Sequence, residues 1–132
     1  MRELKFRVWC KGTSTNANFN KPRWILPTDF ILLKYYRCFQ DVIESDDFVV
    51  QQYTGLKDSK GKEIYEGDIV QYNVGSSYEN MSFIVQWSGD SLGYILQSQS
   101  GDVLTNSWTP NGNRFNFIKL KGNIFETPEL LI

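Results

Sequence analysis

The densest group of side chains able to do chemistry is Glu63, Glu66 and Asp68, three carboxylates inside one short segment. Carboxylates converging from a loop are what an oxygen-seeking divalent cation requires. The spacing argues against that use. Glu63 and Glu66 flank the bulky Tyr65, and Asp68 opens the β-branched run Asp68-Ile69-Val70. The plainer reading is that Asp68 bonds turn amides while the glutamates are solvated or paired to Lys60 and Lys62. No metal and no cofactor is assigned.

Three further groups invite a function. Arg2, Lys5, Arg7, Lys11, Lys21 and Arg23 are interleaved with Phe6, Trp9 and Trp24. Cations with stackable rings are what single-stranded nucleic acid needs, so those six cations and Trp24 are the candidate contacts. The competing reading places Phe6 in the core and Lys5 and Arg7 on the solvent face of an edge strand, where charge discourages aggregation. Trp87, Tyr94 and Trp108, with Tyr72, are candidates for a peptide-binding groove. They serve equally to fill a core that wants large rings, although Trp108 stands in a Ser/Thr/Asn-rich loop. Arg114 with Thr105 and Ser107 can be cast as a histidine-free ribonuclease site, Arg stabilising the phosphate transition state. Their spacing does not single them out.

Composition removes other classes. The chain of 132 residues has no histidine, which excludes Ser-His-Asp and Cys-His catalysis and His-bearing zinc sites. Cys10 and Cys38 are the only cysteines and have no metal or redox spacing, so two reduced, mostly buried thiols are expected. Net charge is −1, so charge as a whole recruits neither nucleic acid nor acidic lipid. At 41% hydrophobic and 15% aromatic the chain is expected to fold rather than stay disordered. No apolar run reaches the ~20 residues that span a bilayer, and the charged start leads into an alternating strand rather than a signal segment. A cytoplasmic protein with no membrane contact is expected.

The elements that must position these residues are mainly strands. Leu4, Phe6 and Val8 alternate with Lys5, Arg7 and Trp9, a period-2 strand. Residues 11–20 read as a loop, and Arg23 to Leu26 as a short strand ended by Pro27. Thr28 to Glu44 fits either a helix capped by Thr28 or Asp29 or a short buried strand. Asp41, Glu44, Asp46 and Asp47 read as a solvated acidic loop. Phe48 to Tyr53 is a strand that Gly55 ends, and Asp58 to Gly61 and Glu66-Gly67 are turns. Strands follow at Asp68 to Tyr72, Met81 to Trp87 and Leu92 to Gln97, with turns at Ser88 to Ser91 and Ser100 to Asp102 and loops at Gly75 to Asn80 and Thr109 to Asn113. Val103 to Thr105 is a further strand, and the last runs from Asn123 to Glu126, stopped by Pro128.

Three blocks carry a resemblance. They are Arg2-Glu3-Leu4-Lys5-Phe6-Arg7-Val8-Trp9; Gln52-Tyr53-Thr54-Gly55-Leu56-Lys57-Asp58 with Gly61-Lys62-Glu63-Ile64-Tyr65-Glu66-Gly67-Asp68-Ile69-Val70; and Gly122-Asn123-Ile124-Phe125-Glu126 with Pro128-Glu129-Leu130-Leu131. In these the chain resembles the YopX family, small proteins encoded mostly by bacteriophages and prophages. Members commonly have Asp where this chain has Cys10 and Asn where it has Thr127. The stretches between the first two blocks and from Asn73 to Asn116 match weakly.

The resemblance implies a β-rich protein whose later part is an SH3-like small barrel, acting in the cytoplasm of a bacterial host. It brings no catalytic residues. The chain is expected to be one YopX-like unit, with an N-terminal β-rich part over 1–53 packed on a barrel over 54–132. The expected function is a non-catalytic accessory protein that binds a host or phage protein or assembles as a homo-oligomer. Nucleic-acid binding is the alternative, and a ribonuclease a third reading.

Overall fold

The structure, a computed structural model, describes residues 4–72, 81–89, 93–98, 103–104 and 118–131, with backbone only at 103–104 and 131. The expected turn at 100–102 and loops at 75–80 and 109–113 lie outside the described residues. The protein is β-rich: nine strands and two short α-helices are described. The chain divides into two compact units, Leu4–Gln52 and a second beginning at Tyr53.

In the first unit, β1 (Phe6–Cys10) pairs antiparallel with β2 (Arg23–Ile25) and with the start of β3 (Phe48–Lys57). The alternation in β1 sorts its side chains. Val8 and Cys10 are buried and pack with Phe19, Ile25, Leu32, Val42 and Phe48. Arg7 and Trp9 fall on the opposite face, since successive side chains point to opposite sides of a strand. Leu4 and Phe6, read from the sequence as apolar-face residues, stay 68% and 38% exposed.

The ambiguous segment resolves into two helices rather than one helix or a strand. In α1 (Phe30–Tyr35), Asp29 is the N-cap and its carboxylate accepts the Ile31 N–H at 3.0 Å. Tyr36 turns extended and ends α1; Cys38, also extended, precedes α2 (Phe39–Glu44). Asp41 and Glu44 therefore belong to α2, not to a loop. Each helix buries a single side chain, Leu32 and Val42. Such short helices hold through that packing rather than through propensity.

In the second unit, Tyr53 and Lys57 of β3 pair with Tyr65 and Glu63 of β4 (Glu63–Tyr65), with a register shift between them. Gly55 does not end β3. It sits inside the strand at φ 88°, a conformation that suits a residue without Cβ. Strands β5 (Asp68–Tyr72), β6 (Ser82–Ser88), β7 (Gly93–Ser98), β8 (Val103–Leu104) and β9 (Ile118–Asn123) form an antiparallel sheet of order β8-β7-β6-β5-β9. Among the described residues β8 and β9 are its edges, and no pairing closes them into the SH3-like barrel the resemblance implies. The core is Ile64, Val70, Tyr72, Phe83, Val85, Leu96 and Ile118.

The last strand lies earlier than expected. Residues 124–126 form a turn and Pro128–Leu131 a 3-10 helix that Pro128 opens rather than stops. The cause is Asn123, whose Oδ1 accepts the N–H groups of Phe125 at 2.9 Å and Glu126 at 2.8 Å. A side chain that satisfies these donors locally takes them out of the ladder.

Candidate interaction surfaces

The carboxylates that suggested a metal serve the backbone instead. Asp68 is buried, and its Oδ2 accepts the Tyr65 N–H at 2.7 Å, which closes the Glu66-Gly67 turn. Glu63 and Glu66 are half-buried. Among the described residues no group of three His, Cys, Asp or Glu side chains is placed to hold a metal ion. Asp58, which the sequence reading treated only as part of a turn, is the more consequential carboxylate. It is 1% exposed; Oδ1 accepts the N–H groups of Lys60 at 2.9 Å and Lys62 at 2.8 Å, and Oδ2 accepts Leu120 N–H at 2.9 Å.

The basic and aromatic N-terminal residues are brought partly together. Arg7 donates from Nε to Gln51 Oε1 at 2.9 Å, and its guanidinium lies 4.5 Å from the centre of the Trp24 ring. Trp9, opposite Trp24 in the β1–β2 register, meets it edge-on at 4.9 Å. Trp24 is thus half-buried among its neighbours, with one ring face occupied by a cation, a contact of order 1 kcal/mol. A base stacking on that face would have to displace Arg7. Arg23 donates from Nη2 to the Asn18 carbonyl at 3.1 Å, Lys11 and Lys21 are exposed and Lys5 is half-buried. Arg2 lies outside the described residues.

Of the aromatic candidates, Trp87 is 53% exposed on β6 and Tyr94 packs against it edge-on at 5.2 Å from β7, where the two are register partners. Tyr72 is a core residue. Trp108 lies outside the described residues, as do Arg114, Thr105 and Ser107. The thiols are both free, but only Cys10 is buried; Cys38 is exposed because it stands in the break between the helices.

Sequence reasoning passed over the apolar surface of the first unit. Leu26 is 70% exposed, Phe30 84%, Leu33 59% and Ile43 46%. Leu33 also lines a recess with Pro27, Leu32, Tyr36, Phe39 and Val42, and Cys38 is at its wall. The signal was present in Phe30-Ile31-Leu32-Leu33, more apolar residues in a row than a one-faced helix can bury.

The profile of the family described as YopX protein matches residues 5–132. The chain belongs to the YopX family. No curated protein sequence matches it. Among solved structures it is similar to the crystal structure of protein EF1440 from Enterococcus faecalis, with a TM-score of 0.59 and 19% identity over 100% of each chain. At that identity the likeness concerns the fold alone. In the second and third blocks of the YopX resemblance, Asp58, Asp68 and Asn123 all bond backbone amides of turns. Those side chains of the blocks therefore serve the fold.

Proposed function

We propose that this YopX-family chain is a non-catalytic accessory protein of phage or prophage origin that binds another protein in the bacterial cytoplasm. The observation that carries the reading is the exposed apolar surface around α1 and α2. Contiguous exposed apolar area rimmed by polar side chains is characteristic of protein contact sites. Lys34, Arg37, Gln40 and Glu44, interspersed with these apolar residues in the sequence, are exposed and polar. The contact is thereby assigned to Leu26, Phe30, Leu33 and Ile43 in preference to Trp87 and Tyr94. A second copy of the chain is a partner of the same chemistry, which would make the protein a homo-oligomer.

The test is capture from nuclease-treated bacterial lysate, and sedimentation across concentration, for the parent and a Phe30→Ser/Leu33→Ser variant. The parent is expected to retain a partner or self-associate and the variant to do neither while remaining folded. A variant that behaves as the parent does, or a parent that stays alone in both assays, removes the reading.

A further inference from the structure

Five of the chain's lysines, Lys57, Lys60, Lys62, Lys119 and Lys121, fall at the end of β3, on the segment that follows it and on β9. One buried carboxylate gathers them. Asp58 follows Lys57 in sequence, accepts the N–H groups of Lys60 and Lys62, and accepts the N–H of Leu120, which stands between Lys119 and Lys121. Ser59 N–H also donates to the Ile118 carbonyl at 2.9 Å, seating the turn along β9. Ile118 belongs to the core and Leu120 packs against it, so the alternate residues Lys119 and Lys121 face outward. Lys60, Lys62 and Lys121 are exposed, and Lys57 and Lys119 half-buried.

Among the described residues none of the five ammonium groups is in an ion pair or hydrogen bond. Asp58 is enclosed by its three amides, and Glu63 stands opposite Lys57 in the β3–β4 register. Lysines on an edge strand often serve to repel a second edge. That role is not needed where they sit, because the turn already occupies the edge of β9 at Ile118 and Leu120. The concentration of cations is also local: the whole chain carries −1.

We infer that these five lysines form a docking surface for the phosphate backbone of nucleic acid. Ammonium groups are compact point charges that bind phosphate without reading sequence. The surface is distinct from the N-terminal cations considered in the sequence, and the inference is independent of the α1–α2 contact proposed above.

The experiment is fluorescence anisotropy of a labelled mixed-sequence DNA duplex against the full chain, between about 50 and 200 mM salt. The parent is expected to bind with log K falling against log salt at a slope near −4, about a several-hundred-fold loss over that range. Lys60→Gln/Lys62→Gln/Lys119→Gln/Lys121→Gln should flatten the slope by about one per lysine removed, while the matching Lys→Arg variant keeps it. An unchanged thermal midpoint shows that both variants fold. No binding by the parent at low salt overturns the inference, as does a Gln variant that binds like the parent. Equal displacement of the duplex by poly-glutamate overturns the assignment to nucleic acid.

Discussion

Asp58 Oδ2 accepts the Leu120 N–H at 2.9 Å across 62 positions of sequence. The same carboxylate holds the N–H groups of Lys60 and Lys62, so it ties its own turn and then ties that turn to β9. Hydrogen bonds to a charged group contribute about 1.5–3 kcal/mol each, and a buried donor left without its acceptor costs about 1–3 kcal/mol. Asp58→Ala is expected to destabilise the chain by roughly 3 kcal/mol or more. Asp58→Asn should cost less, since its carbonyl can still serve Lys60 and Lys62 while its NH2 faces the Leu120 N–H. Urea denaturation of the three proteins checks the order; equal midpoints for all three would refute it.

Gly67 has φ 83°, is buried, donates to the Val85 carbonyl at 2.8 Å and accepts the Ile124 N–H at 3.0 Å. Its backbone cannot relax without losing both bonds. Gly67→Ala is expected to cost at least about 1–2 kcal/mol, the penalty a Cβ brings in the left-handed region. A thermal midpoint equal to the parent's would contradict it.

Leu32 and Phe30 lie in the same helix with opposite surroundings, 2% and 84% exposed. Leu32→Ala opens a cavity against Phe19, Val42 and Phe48 and should cost about 2–5 kcal/mol. Phe30→Ser should move stability by no more than about 0.5 kcal/mol, as surface substitutions do. Denaturation curves for the two variants check the contrast. A large loss at Phe30 would mean that the ring is packed and unavailable to a partner.

The strands were legible where one local signal dominated. Alternation placed β1, and the turn at Ser88 placed β6 and β7 to within a residue or two. Legibility failed where a side chain redirected the backbone. Ile124 and Phe125 have strand-forming side chains, but Asn123 captures the amides of Phe125 and Glu126 and makes a turn. Gly55 reads as a stop, yet a positive φ inside β3 accommodates the register shift toward β4. Residues 28–44 carry apolar side chains at too many positions for either period to win, and two helices interrupted at Tyr36 and Cys38 are the outcome. The lysine surface was illegible because its halves are joined by the Asp58–Leu120 and Ser59–Ile118 bonds, which no local pattern announces.

Cys10 is 0% exposed on β1 and Cys38 is exposed before α2, and both are free thiols of the same unit. Reagent reaches a buried thiol only when the structure around it opens. The native chain should thus consume one equivalent of thiol reagent promptly, at Cys38, and the second at the rate at which β1 becomes accessible. Because Cys38 also walls the apolar recess, shielding of the prompt reaction reads occupancy of that surface while the slow reaction reads the integrity of the fold beneath it. The unit carries a label for binding and a label for unfolding in one unmodified sequence.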